Sequence, residues 1–369
     1  MKTGLYERLP IFLQNAACSA YGARERRHRF GHEFWRLFSA WIESDHASRE
    51  AIQETQDAHV AQRVAFAYKY SPHYRFMMDS AGLIPSDIRT RADLSALPVL
   101  TKEDVRRNGA ALATHCVGRE HRRTVATSGS TGTPLTFPVT RQFTAAHWAI
   151  WWRHRYRFGV KPLARHANFT GFQGIPLIPK GQRRPPYWRY NLPLRQLMIS
   201  MQHLKPDTVL DIVNAIERWD PVFWSGYPSI INEYARLLTE LQIELRVRPT
   251  AVFLGAEAVS SVQFETIERL TGGPVTDQYG FAEGAGNASR CPAGNYHEDW
   301  EFGILQCLEP ETLADGSTRG PIVGTGFWNS AFPFVRYVTG DVATWAPPNF
   351  KCPCGRESAV IMAIDGRLE

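Results

Sequence analysis

The stretch Thr127-Ser128-Gly129-Ser130-Thr131-Gly132-Thr133-Pro134 constrains this chain most, because it packs five hydroxyl side chains and two glycines into eight residues. An apolar run precedes it (Val125, Ala126) and an alternating, strand-like run follows it (Leu135, Phe137, Val139). A loop held between two strands in this way offers backbone N–H groups and hydroxyls to an anion, and its glycines let the main chain approach closely. The pattern reads as a phosphate loop. It is not a Walker A loop, which needs Gly-Lys-Ser/Thr opening a helix. A flexible Ser/Thr/Gly linker is the other reading this composition allows.

Three further fragments follow in order. Gly255-Ala256-Glu257 comes after the apolar run Ala251-Val252-Phe253-Leu254. Asp277-Gln278-Tyr279-Gly280-Phe281-Ala282-Glu283 comes after a second short apolar stretch. Arg336-Tyr337-Val338-Thr339-Gly340-Asp341 is then followed by Ile364-Asp365-Gly366-Arg367. Singly, each could be a plain turn or a solvated loop carboxylate, since Gly-Asp commonly ends a strand. Taken together and in this order, they resemble the adenylate-forming superfamily. Within it the resemblance is to the branch of phenylacetate–CoA ligases and capsule-biosynthesis (CapK-like) adenylating proteins. Tyr70-Ser71-Pro72-His73-Tyr74-Arg75 and Leu97-Pro98-Val99-Leu100-Thr101-Lys102 look like that branch too, so the resemblance covers essentially the whole chain.

The resemblance implies an ATP-dependent ligase. A carboxylate attacks the α-phosphate of ATP, pyrophosphate leaves, and an acyl-adenylate is passed to a thiol such as coenzyme A or to an amine. It assigns Thr127, Ser128, Gly129, Ser130, Thr131, Gly132 and Thr133 to the β- and γ-phosphates, with Thr131 and Glu283 as catalytic groups. Gly255, Ala256 and Glu257 would line the adenine pocket, and Tyr279, followed by Gly280, would stack near the adenine. Asp341 would accept hydrogen bonds from the ribose hydroxyls, and Arg367 would sit against ribose or phosphate. Glu283 would help hold magnesium, a hard cation that prefers carboxylate oxygen. Anchoring adenosine far from the reacting atoms lets remote binding energy position the α-phosphate.

Two departures stand out. Many relatives carry Thr or Ser just before the glutamate, whereas this chain has Ala282. Losing that hydroxyl would remove a hydrogen bond to the α-phosphate, worth on the order of 1 kcal/mol. The chain also stops at Glu369, just past Gly366-Arg367, where relatives place the hinge to a mobile C-terminal domain bearing the catalytic lysine. The expectation is an N-terminal portion, poorly active by itself. A nucleotide-binding pseudoenzyme or scaffold, or one part of a split ligase, are the alternatives.

Six cysteines are present, and four ligand-type residues form two tight pairs: Cys291 with His297, and Cys352 with Cys354. Three thiolates and one imidazole make a closed tetrahedral zinc set. Some members of the branch resembled look similar here, where the zinc is structural. Free buried thiols beside a surface histidine are the alternative. Four protein ligands leave no open position, so a structural tie between the Glu283 and Arg367 segments is expected. Cys18, Cys116 and Cys307 look like ordinary packing or unpaired thiols. With no disulfide spacing and no secretory segment, a cytoplasmic location is expected.

At 369 residues the chain can bury a large core. Residues 1–95 read as a helical segment: Phe30, Phe34, Phe38 and Trp41 recur at near-helical spacing, and a second helix runs from Ala51 to Tyr70 before Pro72. From residue 96 to 369, short apolar strands alternate with helices such as Asp207 to Arg218 and Tyr227 to Leu241. That alternation argues for an α/β core carrying the ATP, acid and zinc sites. Residues 179–195, rich in Pro, Arg and Tyr, read as an exposed excursion. No apolar run approaches the roughly 20 residues of a membrane span. The net charge of +6 comes without a nucleic-acid-binding motif, so attraction of ATP and acidic substrates is the better default. Aromatic segments around Trp148, Trp151 and Trp152, around Asn168, Phe169, Phe172 and Gln173, and around Phe223 and Trp224 suit an aryl or otherwise hydrophobic acid. Oligomeric state is left open.

Overall fold

A computed structural model describes residues 6–127, 134–169, 177–179 and 181–367, with only the backbone of Arg367. Two compact units emerge: Met1–Arg29 with His154–Gln278, and Phe30–Arg153 with Tyr279–Glu369. The fold is mixed α/β, as the alternation of strand and helix patterns predicts.

The first unit is built on parallel strands. His166–Phe169 lies between Gln196–Ile199 and Phe223–Gly226, and Ala251–Leu254 and Val275–Gly280 extend the row. Helices Val209–Trp219, Pro228–Glu240 and Ser261–Thr271 supply the crossovers that parallel neighbours require. Both Phe223–Gly226 and Ala251–Leu254 are buried at every position, as expected of strands covered on both faces, and Ala251–Leu254 is apolar throughout. Val209–Trp219 answers with one apolar stripe, burying Val209, Ile212, Val213, Ala215 and Ile216.

Residues 179–195 depart from the expected excursion. Trp188–Asn191 is an antiparallel strand on Gln196–Ile199, and Tyr187, Trp188 and Arg189 are buried. Composition signalled a loop, but the Arg189 guanidinium finds Gln14 Oε1 at 2.8 Å from its Nε, together with the carbonyls of Pro186 and Trp188. A buried cation with those acceptors no longer needs solvent.

The second unit begins with helices. His32–Glu43 buries Phe34, Leu37, Phe38 and Trp41 on one face, with the Phe34 and Phe38 rings stacked at 5.7 Å. The next helix starts at Arg49, not Ala51, because the Ser48 side chain accepts the Ala51 N–H. It ends at Tyr70, and Pro72 opens the following helix, Pro72–Ser80. Strands Arg122–Ala126 and Thr136–Thr140 form an antiparallel hairpin. A larger antiparallel sheet runs Gly303–Cys307, Thr318–Gly326, Tyr337–Trp345, Val360–Arg367, Tyr296–Glu298 and Asn287–Arg290.

Arg153, in the helix Arg141–Tyr156, is buried in this unit. Its guanidinium donates to Glu301 Oε1 at 2.6 Å, Asp299 Oδ1 at 2.8 Å and the Trp41 carbonyl at 3.1 Å. Burial disfavours its charge, but Glu301 and then Asp299 hold its pKa above the ordinary arginine value. Asn287 and Ser289 donate to the other oxygen of Asp299. Removing the cation strands two buried carboxylates. Arg153→Leu is therefore expected to lower unfolding free energy by about 3–5 kcal/mol, measured by urea denaturation; a loss below about 1 kcal/mol would show the network to be dispensable.

Candidate nucleotide site and metal centre

The strands that flank the Ser/Thr/Gly stretch in the sequence, Arg122–Ala126 and Thr136–Thr140, pair with each other as their sequence predicts. Ala126 pairs with Thr136, and Thr127 closes the loop mouth: its N–H donates to the Leu135 carbonyl at 2.9 Å and its Oγ1 accepts the Leu135 N–H at 3.0 Å. Ser128, Gly129, Ser130, Thr131, Gly132 and Thr133 lie outside the described residues. The Thr127 hydroxyl thus serves the loop closure in this structure.

Three residues of the later motifs come together in the second unit. The Tyr279 hydroxyl donates to Asp341 Oδ2 at 2.8 Å, although 61 residues separate the two along the chain. The Thr339 hydroxyl lies 3.2 Å from the same phenol and accepts the Asp341 N–H at 3.2 Å. Burial, then the neighbouring Asp341 carboxylate, pushes the Tyr279 phenol well above its ordinary range. The phenol is thus held in its protonated, hydrogen-bond-donating form. In the adjoining strand Val360–Arg367, Arg367 is the backbone register partner of Asp341, so the two residues assigned to ribose sit side by side.

Glu283 is buried in the turn after Tyr279 and Gly280, and its Oε1 accepts a hydrogen bond from the Tyr337 hydroxyl at 2.8 Å. The turn depends on Gly284, which has φ +63° and lies so close to Phe143 that a Cβ would meet that ring at 2.3 Å. Ala282, in the same turn, is exposed. A carboxylate here is a hard oxygen donor of the kind magnesium takes. Gly255, Ala256 and Glu257 belong to the first unit, directly after the buried strand Ala251–Leu254. Ala256 holds φ +66° there, and Glu257 Oε2 accepts the Ser229 N–H at 3.3 Å.

The four predicted metal ligands converge. Cys291 Sγ, His297, Cys352 Sγ and Cys354 Sγ present ligand atoms all within 4.8 Å of one another. The Cys291 and Cys352 sulfurs are 3.7 Å apart, too far for a disulfide and close to the separation of about 3.8 Å that tetrahedral Zn–S bonds impose. Cys354 Sγ is 3.2 Å from His297 Nε2. Each pair is shaped locally. Gly294, at φ +86°, closes a turn back to the Cys291 carbonyl, and Gly355, at φ +77°, closes one to Cys352. Cys291, Cys352 and His297 are buried, so His297 is not the surface side chain of the alternative reading.

Sequence reasoning passed over the supporting groups. Asn295 Nδ2 donates to Cys352 Sγ at 3.4 Å, and Ser358 Oγ lies 3.4 Å from His297 Nδ1, where it can fix the ring. Tyr337 stood in plain view beside Asp341, but nothing in the one-dimensional pattern ties it to Glu283. Of the aromatic candidates for an acid pocket, Trp152, Phe169 and Trp224 are core side chains; Phe172 and Gln173 lie outside the described residues.

The mixed α/β fold is that of the adenylate-forming CoA ligases. The chain is an enzyme of that class. The solved structure of 2-hydroxyisobutyryl-CoA ligase, in the postadenylation state with R3-HIB-AMP, matches with a TM-score of 0.66 at 20% identity. That match covers 88% of this chain and 69% of the ligase. Among proteins of known name, Staphylococcus aureus CapK is 26% identical over 337 residues, covering 91% of this chain and 72% of CapK. Phenylacetate-coenzyme A ligase of Thermus thermophilus is 25% identical over 349 residues, covering 87% of this chain and 71% of the ligase. No family model matches the chain. Its recognised relatives are thus CapK and the phenylacetate–CoA ligases, the branch its motifs resemble. No helix among the described residues is long and apolar enough to cross a membrane.

Gly284→Ala tests the turn that carries Glu283. The added methyl meets Phe143 and is held at positive φ, so a loss of about 1–3 kcal/mol of stability is expected in thermal or urea melts. An unchanged melt would mean the turn relaxes freely and does not hold Glu283 in place.

Proposed function

We propose that this chain binds ATP and a carboxylic acid and joins them as an acyl-adenylate, for transfer to coenzyme A or an amine. The observation that carries the reading is the Tyr279–Asp341 hydrogen bond of 2.8 Å, which joins the Asp277–Glu283 stretch to the Arg336–Asp341 stretch. Glu283 lies buried in the turn that follows the first of them.

In this reading, the amides and hydroxyls of residues 127–133 hold the β- and γ-phosphates, with Thr131 nearest the chemistry. Gly255, Ala256 and Glu257 line the adenine pocket and Tyr279 stacks beside the base. Asp341 accepts from the ribose hydroxyls, with Arg367 as its neighbour on the next strand. The acid's carboxylate oxygen bonds to the α-phosphorus as the bond from that phosphorus to the bridging oxygen breaks, and pyrophosphate leaves. Magnesium, held through Glu283, would neutralise phosphate charge. These residues act by placement and charge complementarity. Half-buried Trp148 and Trp151, their rings 5.2 Å apart on the helix Arg141–Tyr156, support an aryl or otherwise hydrophobic acid. Zinc in the Cys291, His297, Cys352 and Cys354 set would be structural, tying the Cys291–His297 segment to the strand that ends at Arg367.

Calorimetric titration with Mg-ATP and with AMP tests the nucleotide assignment. Saturable binding is expected, with Asp341→Ala weakening both ligands by about tenfold or more while the protein still unfolds in one cooperative transition. Equal affinity in wild type and variant would remove Asp341 from the ribose role. Acid-dependent exchange of labelled pyrophosphate into ATP, in the longest native product, then separates adenylation from nucleotide binding alone.

Elemental analysis tests the metal assignment. Protein purified without added metal is expected to carry about one zinc per chain, and Cys352→Ser to lose most of it. Metal-free wild-type protein with the same melting temperature would end the zinc assignment.

A further inference from the structure

Tyr337 has no part in the reading above, but its geometry gives it one. Its hydroxyl donates to Glu283 Oε1 at 2.8 Å, and both residues are buried. Phe334 packs edge-on to its ring at 5.1 Å, and Phe281 lies 6.4 Å away. The main chain is held as well. Leu100 bridges to Tyr337 in parallel, donating its N–H to the Arg336 carbonyl at 2.8 Å and accepting the Val338 N–H at 2.9 Å.

The segment leading to Tyr337 is clamped in the same way. Buried Tyr74 accepts the Val335 N–H at 2.8 Å and donates to the Pro333 carbonyl at 3.0 Å. Arg336, at φ +56°, donates its guanidinium to the carbonyls of Ser95 and Leu97. Two sequence motifs without a chemical role, around Tyr74 and around Leu100, therefore converge on residues 333–338. A chain held this firmly from outside gives the Tyr337 hydroxyl one direction in which to point.

We propose that Tyr337 is the positioning residue for Glu283. Its O–H···O bond fixes Oε1, so Oε2 would be the oxygen that holds magnesium when the ion is bound. The proposal rests on the reading of Glu283 as the magnesium-holding group. It adds that the N-terminal motifs act on the nucleotide site through Tyr337, without touching nucleotide themselves.

Tyr337→Phe keeps the ring contacts and deletes only the donor. The experiment titrates ATP calorimetrically across a magnesium series, and AMP without metal, in four proteins: wild type, Tyr337→Phe, Glu283→Ala and the double variant. Tyr337→Phe is expected to raise the half-saturating magnesium concentration by about tenfold, within the range typical of lost metal-supporting hydrogen bonds. AMP affinity and melting temperature should stay near wild type. In the Glu283→Ala background the same substitution should change the magnesium requirement by less than about twofold. An unaltered requirement in Tyr337→Phe, or equal shifts in both backgrounds, would overturn the positioning role. Parallel loss of AMP and ATP would overturn it too, leaving only a structural contact. If Glu283→Ala itself leaves the magnesium requirement unchanged, the reading of Glu283 falls first and the proposal with it.

Discussion

The second unit depends on one buried cation. Arg153 reaches the carboxylates of Asp299 and Glu301 and the Trp41 carbonyl, so a single guanidinium joins the helix Arg141–Tyr156 to the helix His32–Glu43 and to the segment after Tyr296–Glu298. A charge with so little water tolerates no loss of partner, because each stranded carboxylate would bear its full desolvation cost. That asymmetry makes the network a geometric constraint more than a source of net stability. Asp299 passes the constraint on: its second oxygen holds Asn287 and Ser289 on the strand Asn287–Arg290, which follows Glu283 by a few residues.

The groups proposed to hold nucleotide stand on that framework by short connections. Glu283 sits in a turn that needs Gly284 and is met by Tyr337. Tyr279 reaches across to Asp341, whose register partner is Arg367. The cysteine–histidine set lies on the same sheet, since His297 pairs with both Ser289 and Val360. Among the described residues, Asp341 and His297 lie on paired strands, and Glu283 lies in a glycine turn. Few of these positions have freedom to drift, which is the condition for a site that works by placement.

Much of this was legible in one dimension. Apolar runs such as Ala251-Val252-Phe253-Leu254 read as buried strands because a parallel strand covered on both faces has no polar side to show. The Phe34–Trp41 stripe read as a helix face because 3.6-residue spacing leaves a visible period. The Cys291–His297 and Cys352–Cys354 pairs were visible because ligand spacing within a turn is local. Residues 179–195 misled for the same reason: composition reports average solvent preference, and it could not foresee that Gln14 would hold Arg189 in the interior.

By itself, then, the sequence determined the elements whose signals lie within a turn or a helix repeat: strands, helix faces, the two strands flanking the hydroxyl-rich stretch, and the Cys291–His297 and Cys352–Cys354 pairs. Tertiary structure alone decided which halves meet. The closure of the four-ligand cluster, the Tyr279–Asp341 bond, the Arg153 network and the contact of Tyr337 with Glu283 join residues tens to hundreds of positions apart. Local chemistry carries no record of such partners. They follow from strand register and close packing, which bring distant side chains together only once the whole chain has folded.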